Sequence, residues 1–385
     1  MNKTRKHLGS IDGLRGIAAL IIVVYHLFTS SHNPDWRPFL NVNVLRPLHD
    51  GWIGVNLFLV LSGFCLFWPF TRDPERTLRF GPFMQRRVWR IVPAYYASLI
   101  LVPLAFWLLR RANLYTGASG GPTSPLDAVL HLVLLQSFTA ESLRSWNPVT
   151  WSLGLEWTWY LIFPVAVWMF RKMGPLRAVG ALGAITVGYL VSAWLLVGPS
   201  SQLGEEQALA IRTFLPGRLW EFGMGMFVAW WIARRQLSRR FTRLALFAVP
   251  VLLILGHLAT PVDPMLPVRN TIYGLAFALV LLVAADSAEN PLHRLLEAPW
   301  MQKIGEWSYS LYLFHLPVVI LVTSLLALAG VEGPARFFLS LFSLPLIVLL
   351  AKWQYAAFEH PFLVARQTQT ELPAALPQFQ PIPVP

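Results

Sequence analysis

Acidic residues are scarce in this 385-residue chain: 19 Asp and Glu stand against 31 Lys and Arg. Charged residues of both signs make up only 13%, about half the share of a soluble domain. There is one cysteine, Cys65, so no disulfide forms within the chain. Cys65 lies inside an apolar run and is read as packing. No HExxH, CxxC or P-loop pattern occurs, and the histidines have no ligand spacing; no metal is expected. No long polar segment exists to build a soluble domain.

What remains is apolar: 55% of the residues are hydrophobic and 14% aromatic. The candidate spans are 11–30, 51–70, 91–109, 150–170, 176–197, 214–232, 244–259, 269–286, 305–328 and 335–356. Runs near twenty residues suit helices that cross a bilayer. They are continuous rather than alternating, which argues against a β-barrel. The sequence predicts an all-α polytopic membrane helix bundle of about ten transmembrane helices. Segment 126–140 is too short for a crossing and is read as re-entrant or interfacial. With ten crossings both termini lie on one side, and that side holds most of the Lys and Arg, as cytoplasmic loops do. Arg110 and Arg111 break the rule. The net charge of +12 is thus a topology signal, and nucleic acid is not an expected partner. Lys3, Arg5 and Lys6 mimic a signal peptide, but Asp12, Arg15 and His26 interrupt the apolar stretch. The first helix is therefore expected to be retained. The expected division is one membrane domain over 1–366 and a disordered, Pro- and Gln-rich cytoplasmic tail over 367–385.

The first span carries Arg15 and His26 eleven residues apart. That is about three helical turns, so both side chains leave one face, separated by about 16 Å along the axis. Asp12 lies one turn before Arg15 on nearly the same stripe. Ionisable groups in a span mark a functional site by default, and this stripe has to face the bundle interior or a polar cavity. A neutral His26 can activate a hydroxyl as general base; the alternative is a hydrogen-bonded packing residue. Arg15 suits a phosphate or carboxylate, with Asp12 holding it in place. Arg87 and Arg90 share a face at the start of the third span and favour an anion, although topology alone also places basic residues there. A base about 16 Å beyond a cluster of arginines fits a ligand with a polyphosphate head and a long thin arm. Acyl-CoA has that shape, and so does a phospholipid or polyprenyl phosphate. Glu156 lies among Trp and Tyr near the outer end of its span, where it can orient His26 or an acceptor hydroxyl. Those aromatics suit an interfacial belt or stacking on a sugar. His315 either lines the same cavity or bonds a neighbour. Arg218 and Glu221 are placed to pair, and their neighbouring glycines allow close helix packing.

In chain order, these segments resemble the acyltransferase-3 family of integral membrane acyltransferases. The carriers are Asp12-Gly13-Leu14-Arg15-Gly16 through His26, then Gly54 to Phe64 including Ser62. Arg87-Val88-Trp89-Arg90 follows, then Trp151-Ser152-Leu153 with Glu156, Tyr160 and Pro164. The last is Ser308-Tyr309 through Tyr312, His315 and Pro317. Asn56 stands where many members have an acidic residue. No hydrolase-like domain of the kind some members carry is expected. The resemblance implies O-acyl transfer, often of acetyl, from acyl-CoA as co-substrate to a hydroxyl on a carbohydrate, glycan or glycosylated or polyketide product. It implies a bacterial cytoplasmic (inner) membrane protein surrounded by lipid. His26 and Glu156 would be catalytic. Arg15, Arg87 and Arg90 would hold the CoA phosphates, supported by Asp12, His315 and Ser62. Direct transfer and an acyl-imidazole intermediate both stay open. Two rivals are a small-solute transporter with an intramembrane proton path and a non-catalytic lipid binder.

Overall fold

The computed structural model describes residues 3–31, 45–73, 75–260, 262–286 and 290–364. The tail expected over 367–385 lies outside the described residues, as do residues 32–44. No strand occurs among the described residues. Nine helical segments there are long and apolar enough to cross a membrane.

The chain runs through α1 (Lys3–Ser30), α2 (Gly54–Arg72), α3 (Phe80–Arg111), α4 (Pro125–Leu132) and α5 (Trp151–Lys172). Then come α6 (Pro175–Val197), α7 (Glu205–Thr213), α8 (Leu219–Ile232), α9 (Arg239–Leu258) and α10 (Val268–Ala285). The last are α11 (Pro291–Leu296), α12 (Pro299–Glu306), α13 (Ser308–Leu328), α14 (Gly333–Ser340) and α15 (Leu344–Phe358). Segment 126–140 does not cross: α4 has eight residues, about 12 Å of helix. It is held against α3 by the Tyr95 hydroxyl, which donates to the His131 carbonyl at 3.0 Å. The span expected over 214–232 is shorter than its apolar run. Pro216 and Gly217 sit in a 3₁₀ turn over Leu215–Arg218, leaving α8 with 14 residues.

Close backbone approach places α8. A Cβ on Gly225 would lie 1.9 Å from the Val60 carbonyl oxygen, and one on Gly63 would lie 2.0 Å from that of Phe222. Only glycine permits this crossing of α2 and α8, the small-residue packing that bilayers favour where no hydrophobic force joins helices. The crossing brings Phe222 onto Trp159 of α5, stacked at 4.4 Å and 17°. Trp159 is fully buried, so the interfacial-belt reading fails for it: α5 turns that face to α8.

Burial separates an inner and an outer set of helices. Of the apolar window of α10, 61% is buried, against 11% for α9. Exposed Leu244 and Phe247 on α9 face the position of lipid. The inner helices α1, α2, α5 and α13 carry Asp12, Arg15, His26, Ser62, Glu156 and His315, whereas Arg87 and Arg90 lie on α3 and Glu221 on α8. Asn56, fully buried on α2, donates to Glu221 at 3.2 Å and to Asn270 at 3.4 Å. Glu221 pairs with Arg218 at 2.8 Å. Thus Asn56 ties three helices together.

Candidate active site

His26 and His315 meet. His315 Nδ1 lies 3.0 Å from the Leu311 carbonyl and 2.9 Å from that of Tyr312. Carbonyls only accept, so Nδ1 carries the proton, and in the neutral ring Nε2 is an acceptor. His315 Nε2 is 3.0 Å from His26 Nδ1. His26 Nδ1 therefore donates, to that nitrogen and to the Ile22 carbonyl at 3.0 Å. The free lone pair of His26 is left on Nε2, the tautomer that a general base needs. Local sequence fixes the partner. Pro317 has no N–H, so the Leu313 carbonyl loses its helical partner. Asn147 Nδ2 donates to it at 2.9 Å and tethers the loop before α5 to α13.

His26 lines a cavity of about 580 Å³, together with Trp151, Tyr312 and four arginines: Arg144, Arg212, Arg218 and Arg269. Three of these are committed. Arg144 pairs with Glu205 at 3.1 Å and Glu206 at 3.3 Å. Arg218 pairs with Glu221. Arg269 pairs with Asp50 at 2.5 Å, and Asp50 also meets His257 at 2.7 Å and the Tyr273 hydroxyl at 3.0 Å. Arg212, on α7, makes no ion pair among the described residues. Burial, then the charges of Arg218, Arg144 and Arg269, pull it down to about 10. It is still a cation at neutral pH.

Arg15, Arg87 and Arg90 line a different cavity of about 160 Å³, with Ser62, Cys65, Glu156 and Tyr160. Asp12 sits 3.5 Å from Arg15. Arg87 lies over the rings of Phe83 and Tyr160 at 5.7 and 5.8 Å, and its buried Nε has no hydrogen-bond partner among the described residues. Neither Arg87 nor Arg90 is ion-paired among the described residues. Arg15 and Arg90 also border a third cavity of about 420 Å³, lined by Asp12, Lys303 and Glu306.

Glu156 does not reach His26. Its Oε1 accepts from Ser62 at 3.2 Å and from Tyr160 at 2.5 Å, so it belongs with the arginines. The group that orients His26 is His315. Cys65 corrects its reading as a packing residue: it is exposed and lines the arginine cavity, because its side of α2 faces that space. Sequence reasoning also missed Tyr312. It borders both cavities, as does Val55. The Tyr312 hydroxyl lies 2.7 Å from Ser152 Oγ and donates to the Val149 carbonyl. Arg212 was missed too; its one signal is a lone cation between apolar residues in ALAIRTFL.

Comparison with known proteins bears on this arrangement. A family profile described as an acyltransferase domain matches residues 8–352. The O-acetyltransferase OatA of Staphylococcus aureus (strain NCTC 8325 / PS 47) is 24% identical over 92% of this chain and 57% of its own length. The chain thus spans little more than half of that relative. BcsY of Komagataeibacter xylinus, named as a membrane-bound transacylase, is 26% identical over 82% of this chain and 74% of its own length. No solved structure matches. The profile match covers most of the chain and all of the helices that line the three cavities up to α13, and on it this multi-pass membrane protein belongs to the acyltransferase-3 family.

Proposed function

We propose that the chain moves an acyl group, acetyl in the simplest case, from acyl-CoA to a hydroxyl on a carbohydrate, glycan or glycosylated product. The observation that carries this reading is the seam at Val55 and Tyr312, where the arginine cavity abuts the His26 cavity. A donor with a polyphosphate head would leave it at Arg15, Arg87 and Arg90 and extend its thin arm past Tyr312 toward His26. The arginine end would face the cytoplasm, where acyl-CoA is found, as the charge distribution along the loops favours. On this reading both termini are cytoplasmic and the membrane is the bacterial inner membrane.

His26 Nε2 takes the proton of the acceptor hydroxyl. The oxygen attacks the thioester carbonyl carbon, and the C–O bond forms as the C–S bond breaks. The CoA thiolate leaves and receives the proton from the His26 imidazolium. His315 keeps His26 Nδ1 engaged throughout. Glu156 acts on the donor side, where it fixes Ser62 and Tyr160 along the arm's path.

Cys65 offers a test that needs no acceptor. It is the single cysteine and lines the arginine cavity, so saturating acetyl-CoA slows its labelling by a maleimide in the purified full chain. An unchanged labelling rate overturns the donor site. Acyl-CoA-dependent release of free CoA thiol then separates an enzyme from a transporter, which would carry solute into vesicles with no thioester consumed.

A further inference from the structure

The His26 cavity carries more positive charge than a neutral sugar needs. We propose that its acceptor bears an anionic group, a carboxylate or a phosphate, and that Arg212 binds that group while His26 works on a nearby hydroxyl. The inference rests on the donor and base roles proposed above and names the class of the second substrate.

The charges facing the cavity are the four arginines with Glu205 and Glu206. Glu221 and Asp50 neutralise Arg218 and Arg269 from behind the wall, and Glu205 and Glu206 both sit on Arg144. Among the described residues Arg212 is the cation over. Its charged neighbours are chiefly other arginines, an arrangement that is costly unless an anion joins it. A second observation points the same way. Arg218 is only 2% exposed, yet its Nη2 has no hydrogen-bond partner among the described residues. A buried guanidinium N–H left unpaired is an unmet donor, and Arg218 lines the same space. One oxyanion in that corner would accept from Arg212 and Arg218 together, the forked geometry that carboxylates and phosphates match. Trp151 on the same wall offers an aromatic face for a sugar ring.

The test compares glucuronate, glucose 6-phosphate and glucose as probes of the full chain in nanodiscs of zwitterionic lipid, with binding read by calorimetry. At least one of the two anions should bind about tenfold or more tightly than glucose, the size of a charge-assisted hydrogen bond. Arg212→Gln should remove the preference and Arg212→Lys should keep most of it. Acetyl-CoA should still protect Cys65 in Arg212→Gln. Equal binding of the three probes, no binding of any, or a preference that survives Arg212→Gln would overturn the proposal. So would loss of Cys65 protection in Arg212→Gln, which would make the anion the donor's own phosphate. Loss of anion binding when phosphatidylglycerol replaces the zwitterionic lipid would overturn it by making a lipid headgroup the occupant. If acetyl-CoA never protects Cys65 in the wild type but the anion preference holds, the donor reading fails and this site stands.

Discussion

The two cavities that meet at Tyr312 are both basic, but their arginines are held differently. In the narrow one, of about 160 Å³, Arg87 and Arg90 make no ion pair among the described residues and Arg87 rests on aromatic rings. In the wide one, of about 580 Å³, Arg144, Arg218 and Arg269 are each tied to a carboxylate, and among the described residues only Arg212 is spared. A polyanion needs several uncommitted cations; a single charge on a larger, mostly neutral molecule needs one. The narrow space suits an extended arm and the wide space a ring. The difference teaches how, on the proposed reading, the same residue type would serve two ligands, told apart by which arginines are left without a carboxylate.

Removing the base is the strongest way to break this division. His26→Ala should lower acyl transfer by about 10²–10⁴-fold, while acetyl-CoA still protects Cys65, because the arginine cavity does not contain His26. Near wild-type turnover would remove His26 from the chemistry; lost protection would mean that the two cavities act as one. The next largest effect is expected at His315. His315→Ala deletes the acceptor of the His26 Nδ1 proton but leaves the Ile22 carbonyl in place. We expect kcat to fall about ten- to a hundredfold, within the range for a lost partner of a general base. The KM for acyl-CoA should be unchanged. His315→Gln, whose side-chain carbonyl can accept from Nδ1, should recover part of the rate. A merely structural histidine would lower protein yield, lower kcat and raise KM together without that rescue.

The sequence carried the fold further than it carried the site. Continuous apolar runs define helices by composition alone, so nine of the ten expected crossing segments were legible, and so was the short run at 126–140; the exception is 214–232, where the 3₁₀ turn at Pro216 and Gly217 shortens the helix. The stripe of Asp12, Arg15 and His26 was legible because one helix fixes its geometry. What joins distant segments was not. His26 and His315 are 289 residues apart, Ser62 and Glu156 are 94 apart, and no periodicity links them. Glu156 was assigned to the His26 side because its distance from the end of its span was legible, whereas the direction it faces depends on how α5 packs on α2 and α8. Tyr312 was hidden for the same reason, since its role exists only where two cavities abut. Arg212 was hidden because its significance is the lack of a partner, and ion pairs such as Arg144 with Glu205 are set by tertiary contact.

Charge on the narrow side is the next test. Arg87→Gln removes an uncommitted cation without opening an ion pair. The KM for acyl-CoA should rise about tenfold, the worth of one charged hydrogen bond, with kcat and the binding of glucuronate little changed. A fall in glucuronate binding instead would show that the anion reaches across the seam.

The smallest expected effect lies at the seam itself. Tyr312→Phe keeps the ring between the cavities but deletes the hydroxyl that meets Ser152 and the Val149 carbonyl. Both partners are buried, so each loses a bond that water does not readily replace, a stability cost of about 1 kcal/mol. Acyl transfer should change by no more than about fivefold, because the ring neither carries the charge that holds the donor nor the lone pair that takes the proton. The sensitive readout is hydrolysis of acetyl-CoA without acceptor. The ring, no longer pinned, should let water pass between the cavities and raise that background a few-fold over wild type. Unchanged hydrolysis would show that ring packing against Val55 and Phe58, which lies 6.0 Å away in an edge-on contact, closes the seam without the hydroxyl. The comparison would then rest on shape rather than on a hydrogen bond, and Tyr312→Ala, which removes the ring as well, would be the variant that merges the two cavities.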